Sequence, residues 1–454
     1  MKRTIAILLA LALCIPLGGC GGVKPEAGTY PALAAAVYPE MAHHPDTLSN
    51  MNSDNKQSSK YQKAYNAWQN DLSARRVLES ELDAAGLDSF FEVSIRQFLS
   101  GAEGENRVYS PLNVYMALAM LAELTDGESR EQILSLLDSD GIEALRAQAS
   151  AIWNANYLDD GATSCVLASS LWLNQDINFV QPTLDVLAKT YYASSYQGKM
   201  GSQDFNGALQ GWLSAQTGGL LDERIGGVTL DAETVMALAT TIYLRAKWNG
   251  GFSENRTETD LFHADGGDMT ADFMHRDSEK NYYWGEKFTA VSERLSNVGN
   301  MWFFLPDEGV TAEELLMDGE AMEFLLSGGR DWEQNKFLLV HESIPKFDVS
   351  SDLDLIPGLM ALGVTDVFDF VASDFTPMTG DRDDIYVSTA KHAARAVIDE
   401  EGVVAVAYTV ISAPSGAAPP QEMEEIDFTV DRPFIFAITG AGDLPLFVGI
   451  VNTP

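Results

Sequence analysis

Hydrophobic positions change their period several times along the chain, and each change marks an element. Leu87, Phe90, Phe91, Val93, Ile95, Phe98 and Leu99 fall near helical spacing, which predicts a helix at the start of the folded part. Ser110-Pro111 then reads as an N-cap followed by a first helical residue whose missing N–H costs nothing. Pro111 to Leu124 is apolar nearly all round, the pattern of a helix inside a large core. Gly127 closes it, and Glu128 to Leu137 begins another. Further on, Ser169 to Leu173 reads as a buried strand, Pro182 to Tyr192 as a helix, and Gly211 to Gly219 as a helix with a glycine stop. Ala239 to Trp248 is apolar on both alternating faces, which predicts a central strand covered on two sides. The apolar run Met301 to Leu305, ahead of Pro306-Asp307-Glu308, stands out in the same way.

One stretch breaks the pattern. Glu400-Glu401-Gly402-Val403-Val404-Ala405-Val406-Ala407-Tyr408-Thr409 has strong strand propensity, with small or β-branched side chains on the face carrying Val403, Ala405, Ala407 and Thr409. It runs into Ser412 to Pro420, which cannot be regular structure. Such a segment is able to slide between two strands of a crowded sheet, with Gly402 as the hinge because glycine tolerates unusual backbone angles. A strand-former tied to an exposed loop implies a loop that changes state.

Composition narrows the class. The 454 residues are 46% hydrophobic and 21% charged, as in a globular protein, and the formal net charge of -37 argues against long-range attraction to nucleic acid or an anionic membrane surface. The first residues stand apart: Lys2 and Arg3, an apolar core from Ile5 to Ile15 too short to span a bilayer, and a small-residue exit at Leu17-Gly18-Gly19-Cys20 predict a signal peptide over 1–19. Leu17 to Cys20 resembles a bacterial lipobox, which implies cleavage before Cys20 and acylation of that cysteine, and hence an extracytoplasmic chain anchored to a cell membrane or surface. Cys14 is lost with the signal, so Cys165 is the one free thiol, no intrachain disulfide forms, and stability rests on packing. Residues 20–84, with the polar run Thr47 to Lys60, are expected to be a flexible tether. His43-His44 lacks a third ligand at useful spacing, and Asp381, Asp383 and Asp384 lack the spacing and terminal Glu of a calcium loop, so neither metal nor cofactor is expected. Gly-x-Ser-x-Gly, His-Glu-x-x-His and phosphate-loop motifs are absent, and no enzyme is expected.

The ordered fragments carry a resemblance. Val108-Tyr109-Ser110-Pro111, Gly127 to Leu134, Ser169 to Leu173, Ala239 to Trp248, Phe262-His263, Met274-His275, Ser343 to Phe347, Leu362 to Phe368, Phe428 to Phe436 and Leu446 to Pro454 occur in the order and places expected of the serpins, so that 85–454 resembles one serpin domain. The resemblance implies an α+β fold with a large, mainly antiparallel central sheet, two further sheets, about eight or nine helices and an exposed reactive-centre loop near 400–427. It implies a monomeric suicide-substrate inhibitor: a serine protease, or a cysteine protease, cuts the loop, and the freed arm inserts into the sheet before the acyl-enzyme hydrolyses. A non-inhibitory serpin serving as a cell-surface binding protein is the alternative.

By the same resemblance Ser110, Asn113, Thr240 and His392 fall at the centre of the sheet, where they control its opening, and Trp248, Lys346 and Glu400 at its top, where the arm enters. Thr240 stands where the family usually has Asn, Val403 where it has Thr or Ser, Val404 where it has Glu, and Tyr408 where it has a small residue. Family spacing places the cut between Gly416 and Ala417, among small uncharged residues, which points to an elastase-like or subtilisin-like target.

Overall fold

The computed structural model describes residues 30–48, 51, 56, 58–84, 86–102, 104–380, 385–403 and 423–454. Cys20, the arm Val404 to Thr409 and the bond Gly416–Ala417 lie outside the described residues. The strands are β1 (Ala32–Ala34), β2 (Arg107–Tyr109), β3 (Leu158–Asp159), β4 (Ser164–Asn174), β5 (Ala193–Gly198), β6 (Met236–Lys247), β7 (Thr257–Ala264), β8 (Gly267–Trp284) and β9 (Phe288–Arg294). They continue with β10 (Asn300–Pro306), β11 (Asn335–Pro345), β12 (Phe347–Asp354), β13 (Lys391–Ile398), β14 (Gly402–Val403), β15 (Glu425–Thr429), β16 (Phe434–Thr439) and β17 (Pro445–Val451).

One sheet runs β1-β5-β4-β6-β14-β13-β12, with β3 paired to β4. Its pairs are antiparallel apart from β4 with β5. The second runs β15-β11-β8-β9-β10-β16-β17-β2, with β7 on β8. The two smaller sheets of the expected fold are continuous here because β8 is 18 residues long: most of it pairs with β7 and β11, and its last residues, Tyr283 and Trp284, pair with β9.

Helix α1 spans Ser59–Ser80, α2 Leu87–Leu99 and α3 Pro111–Leu124. Thirteen residues of α3 are buried, because it lies between the two sheets, against β6 and β17. Ser110 occupies the N-cap position, yet its hydroxyl caps nothing; it donates instead to Leu446 O on β17 at 2.6 Å.

Two expectations are corrected. Residues 30–48 and 58–84 are not a structureless spacer. β1 extends the large sheet at β5, and α1 packs beside the Ile142–Asn156 helix through Trp68, which donates to Asp160 Oδ2 at 2.8 Å. Arg75 of α1 donates to Asn297 O at 2.7 Å. The helix is polar, with only Tyr61, Trp68 and Leu72 as large buried apolar anchors, so apolar periodicity was a weak signal; Ser58, which caps it by accepting from Tyr61 N at 3.1 Å, was the stronger one. Burial of the central strands also differs. β4 is the strand covered on both faces, whereas in β6 only Thr241, Leu244 and Ala246 are buried, since one flank of β6 borders a cleft.

Candidate functional site

The top of the large sheet is closed by a two-residue wedge. In β14, Gly402 pairs with Lys247 and Val403 with Ala246 on β6, while Val403 also pairs with Ile398 on β13. Val403 is 2% exposed. Glycine is required at 402 for space: a Cβ there would lie 2.2 Å from Ala246 O and 2.7 Å from Lys247 Cα. Glycine, expected at 402 for backbone freedom, is thus required there by the close approach of one strand to the next.

The turn leading into the wedge is tied down residue by residue. Asp399, which sequence reasoning did not single out, accepts at Oδ1 from Glu401 N (2.9 Å) and Gly402 N (3.2 Å), and its own N–H donates to Gly402 O (3.1 Å). An aspartate two or three residues before a glycine is the signal that would have found it. Trp248 donates through Nε1 to Asp399 O at 2.8 Å and through its backbone N–H to Glu401 O at 3.0 Å. Phe252 N donates to Glu400 O at 3.1 Å. Glu400 accepts from Thr257 Oγ1 at 2.7 Å and pairs with Lys346 at 3.1 Å, so Lys346 and Thr257 meet at its carboxylate while Trp248 holds the carbonyls on either side of it in the chain. Burial alone would raise the Glu400 carboxyl, but the Thr257 hydroxyl and the Lys346 ammonium outweigh it and hold it below the ordinary range. Glu401 faces Lys247 at 3.5 Å.

Below Val403, among the described residues, no other strand joins β6 to β13. A shallow open cleft lies between them, lined by Thr241, Ile242 and Tyr243 on one side and His392 to Arg395 on the other, with Ser110 and Asn113 among the residues beneath. His392, 4% exposed, accepts at Nε2 from Ser110 N at 3.1 Å and lies 5.3 Å from the Tyr109 ring, edge to face. Burial pushes the imidazole down to about 4, so it is neutral at physiological pH. Asn113 Nδ2 donates to the backbone carbonyl of Thr240 at 3.4 Å, so at this position it is the main chain and not the hydroxyl that is read. The hydroxyl of Thr241, buried beside the cleft, has no hydrogen-bond partner among the described residues. On the rim Arg395 clasps Asp348 of β12 through two hydrogen bonds, 2.7 and 2.5 Å, and donates to Leu220 O at 2.9 Å.

Beside the wedge lies a buried ion cluster that sequence reasoning missed, because its members come from three strands. Arg276 and Lys280 of β8 face Glu293 of β9 and Glu342 of β11; Arg276 Nε lies 3.2 Å from Glu342 Oε2, and Lys280 pairs with both carboxylates. Burial, reinforced by the neighbouring Glu293 carboxylate, pushes Glu342 up to about 7. Burial works against Glu293 too, but Lys280 and Arg276 prevail and hold it low. Arg276 also donates to Gly250 O and lies over the Phe252 ring, 4.6 Å from its centroid, so the cluster supports the loop on which Glu400 rests. These groups are all held in hydrogen bonds or ion pairs, and their chemistry is that of a fastener: a strand seeded in a sheet, polar side chains beneath, and charge pairs at the rim.

A family model described as serpin (serine protease inhibitor) matches residues 88–454. A putative serpin-Z6C of Oryza sativa subsp. japonica is 27% identical over 414 residues, covering 84% of this chain and 98% of that protein. The human leukocyte elastase inhibitor is 27% identical over 361 residues, covering 77% and 93%. Among solved structures, the thermophilic serpin tengpin in its native state superposes with a TM-score of 0.71 at 24% identity, covering 81% of this chain and 93% of that one; its latent state gives 0.67 at 23%, covering 81% and 96%. These likenesses show a shared fold.

Proposed function

The chain belongs to the serpin family, and from that membership we propose that it inhibits extracytoplasmic serine proteases as a suicide substrate, held at a membrane through acylated Cys20. The observation that carries the reading is β14, a strand begun between β6 and β13 above the cleft. A protease cutting between Gly416 and Ala417 frees the arm at its far end. Continued without slippage, the register of Val403 then sets Ala405 between Leu244 and Ala396, Ala407 between Ile242 and Ala394, and Thr409 between Thr240 and His392. The positions sharing the face of Val403 are thus small, and the one hydroxyl arrives among the polar groups at the sheet centre. The added strand hydrogen bonds contribute about 1 kcal/mol net each, and every buried CH₂ about 0.8 kcal/mol, which drives insertion ahead of deacylation.

Small uncharged residues around Gly416 fit a shallow pocket, and the relation to a leukocyte elastase inhibitor supports an elastase-like target. Incubation of the full chain with elastase-like and subtilisin-like proteases tests this. The expected result is an SDS-stable adduct, a released C-terminal fragment whose mass begins at Ala417, and a cleaved chain that melts well above the intact one. Cleavage with no adduct and an unchanged melting temperature refutes inhibition and leaves the non-inhibitory, surface-binding reading.

A further inference from the structure

The end of the molecule farthest from β14 carries an apolar tip, and the described chain begins at that same end. β4 starts at Ser164, opposite Arg245 near the wedge, and ends at Asn174, beside Gly198, so it carries the fold about 33 Å away at 3.3 Å per residue. At this far end Tyr30 packs against Phe205 with ring centroids 5.0 Å apart, and β1 enters the sheet opposite Tyr196. Gln181 donates to Leu33 O at 3.4 Å, Val180 N to Met378 O at 2.8 Å, and Thr183 Oγ1 to Pro377 O at 2.5 Å, which ties the chain's entry point to the segment around Met378.

The tip belongs to that segment. Phe370 is 56% exposed, Val371 89% and Tyr386 45%, with the two rings edge to face at 5.9 Å. The turn beneath them is built: Val371 N and Ala372 N donate to Asp369 Oδ1 at 2.7 and 3.0 Å, and Ser373 Oγ donates to Ile385 O at 2.7 Å. Isolated exposed apolar residues are ordinary, but adjacent ones braced by a hydrogen-bonded turn and backed by an aromatic ring form a surface that suits an interface.

Chain length then fixes which surface is near. From Cys20 to Tyr30 there are ten residue steps, which at most span about 36 Å when fully extended. As a coil those ten steps span only about 16–19 Å, well short of the roughly 33 Å to the wedge, so an acylated Cys20 keeps this end of the molecule nearer the bilayer than the wedge. We propose that Phe370, Val371 and Tyr386 seat in the interfacial layer of the membrane that carries the chain, which turns the reactive loop outward. The inference rests on the lipid-anchor reading above. A docking contact of this size is weak alone, but the short tether holds it at high local concentration. Asp366, Asp369 and Asp374 surround the tip, and the Asp369 carboxylate is already engaged by two backbone N–H groups, so the fit is to a neutral lipid surface rather than an anionic one.

The test uses the full lipidated chain on phosphatidylcholine vesicles. An environment-sensitive dye is placed through Val371→Cys, with Ala372→Cys as a second tip site. Leu261→Cys is the reference, on the same strand as Thr257, which bonds Glu400, and 48% exposed. Lipids brominated just below the headgroup should quench the two tip dyes at least threefold more than the reference, and phosphatidylglycerol should reduce the difference. Equal quenching at all sites on vesicle-bound protein overturns the docking surface while leaving the anchor intact. Protein that does not float with vesicles at all overturns the anchor reading, and this proposal with it. Tip quenching that grows with phosphatidylglycerol overturns the assignment to a neutral surface.

Discussion

The seam between β16 and β17 and the seam between β6 and β13 both lie over α3, yet they are made of different material. Across the first, Ile435 faces Ile450, Phe436 faces Gly449 and Ala437 faces Val448, every one buried. Across the second stand Thr240, Thr241 and Tyr243 on one side and His392 and Arg395 on the other, with Ser110 and Asn113 beneath. The first seam is also a continuous antiparallel ladder, so opening it would give up backbone hydrogen bonds and apolar burial together, and it stays shut. A seam lined by hydroxyls, an amide and a neutral imidazole trades one set of hydrogen bonds for another as it opens, at low cost. Polar residues inside a hydrophobic core thus mark the line along which this fold is able to part.

The sharpest way to break the contrast is at the wedge. Val403→Asp buries a carboxylate between Ala246 and Ile398 with no partner, a cost of several kcal/mol. On the proposed function it should convert inhibition into simple cleavage, with the yield of SDS-stable adduct falling about 100-fold while cleavage continues.

Next comes a change at the closed seam. Phe436 is fully buried and its ring lies where a Cβ on Gly449 would be, 2.5 Å away. Phe436→Ala should cost about 3–5 kcal/mol, seen as a lower denaturation midpoint for the intact chain and an equal shift for the cleaved one, because that seam is the same in both.

Of the two seams, acid should act on the open one. His392 is held neutral, its folded value of about 4 lying below the ordinary 6.5. The unfolded chain therefore takes up a proton that the folded chain refuses as pH falls from about 6.5 to about 4, and stability drops through that window by on the order of 3 kcal/mol, levelling off below it. His392→Gln should flatten this part of a stability–pH curve measured by denaturant titration; an unchanged slope would place the titration elsewhere.

The smallest effect belongs to the rim. Lys346→Ala removes the cationic partner of Glu400, a pair whose lysine side is 35% exposed and which is worth about 0.5–1 kcal/mol after screening. Spontaneous conversion to a more heat-stable form, followed by intrinsic fluorescence with Trp248 at the turn, should quicken only a few-fold, and less so in high salt.

Much of this was legible in the residues. The all-apolar run from Pro111 predicted α3, the resemblance of Phe428 to Phe436 and Leu446 to Pro454 marked the closing strands, and the acidic pair before Gly402 pointed to the wedge. What was not legible depends on who meets whom. Asp399 and Thr257 matter only because a turn and a distant strand converge on Glu400, and Arg276, Lys280, Glu293 and Glu342 form a cluster only once β8, β9 and β11 are aligned. The greater burial of β4 over β6 likewise follows from neighbours, since it was Ala239 to Trp248 that read as apolar on both faces and Ser169 to Leu173 only as a buried strand. Helix α1 was hidden for another reason: it is held by a few anchors such as Trp68 and Arg75 rather than by an apolar stripe.

The wedge at Gly402–Val403 has a kinetic meaning. In the proposed mechanism, like a zip whose first teeth are already engaged, the sheet needs no search to find its incoming edge, so the slow, improbable step of bringing two distant pieces together in register is complete before any cut is made. What is left is propagation, and its pace is governed by how quickly the sliders ahead give way.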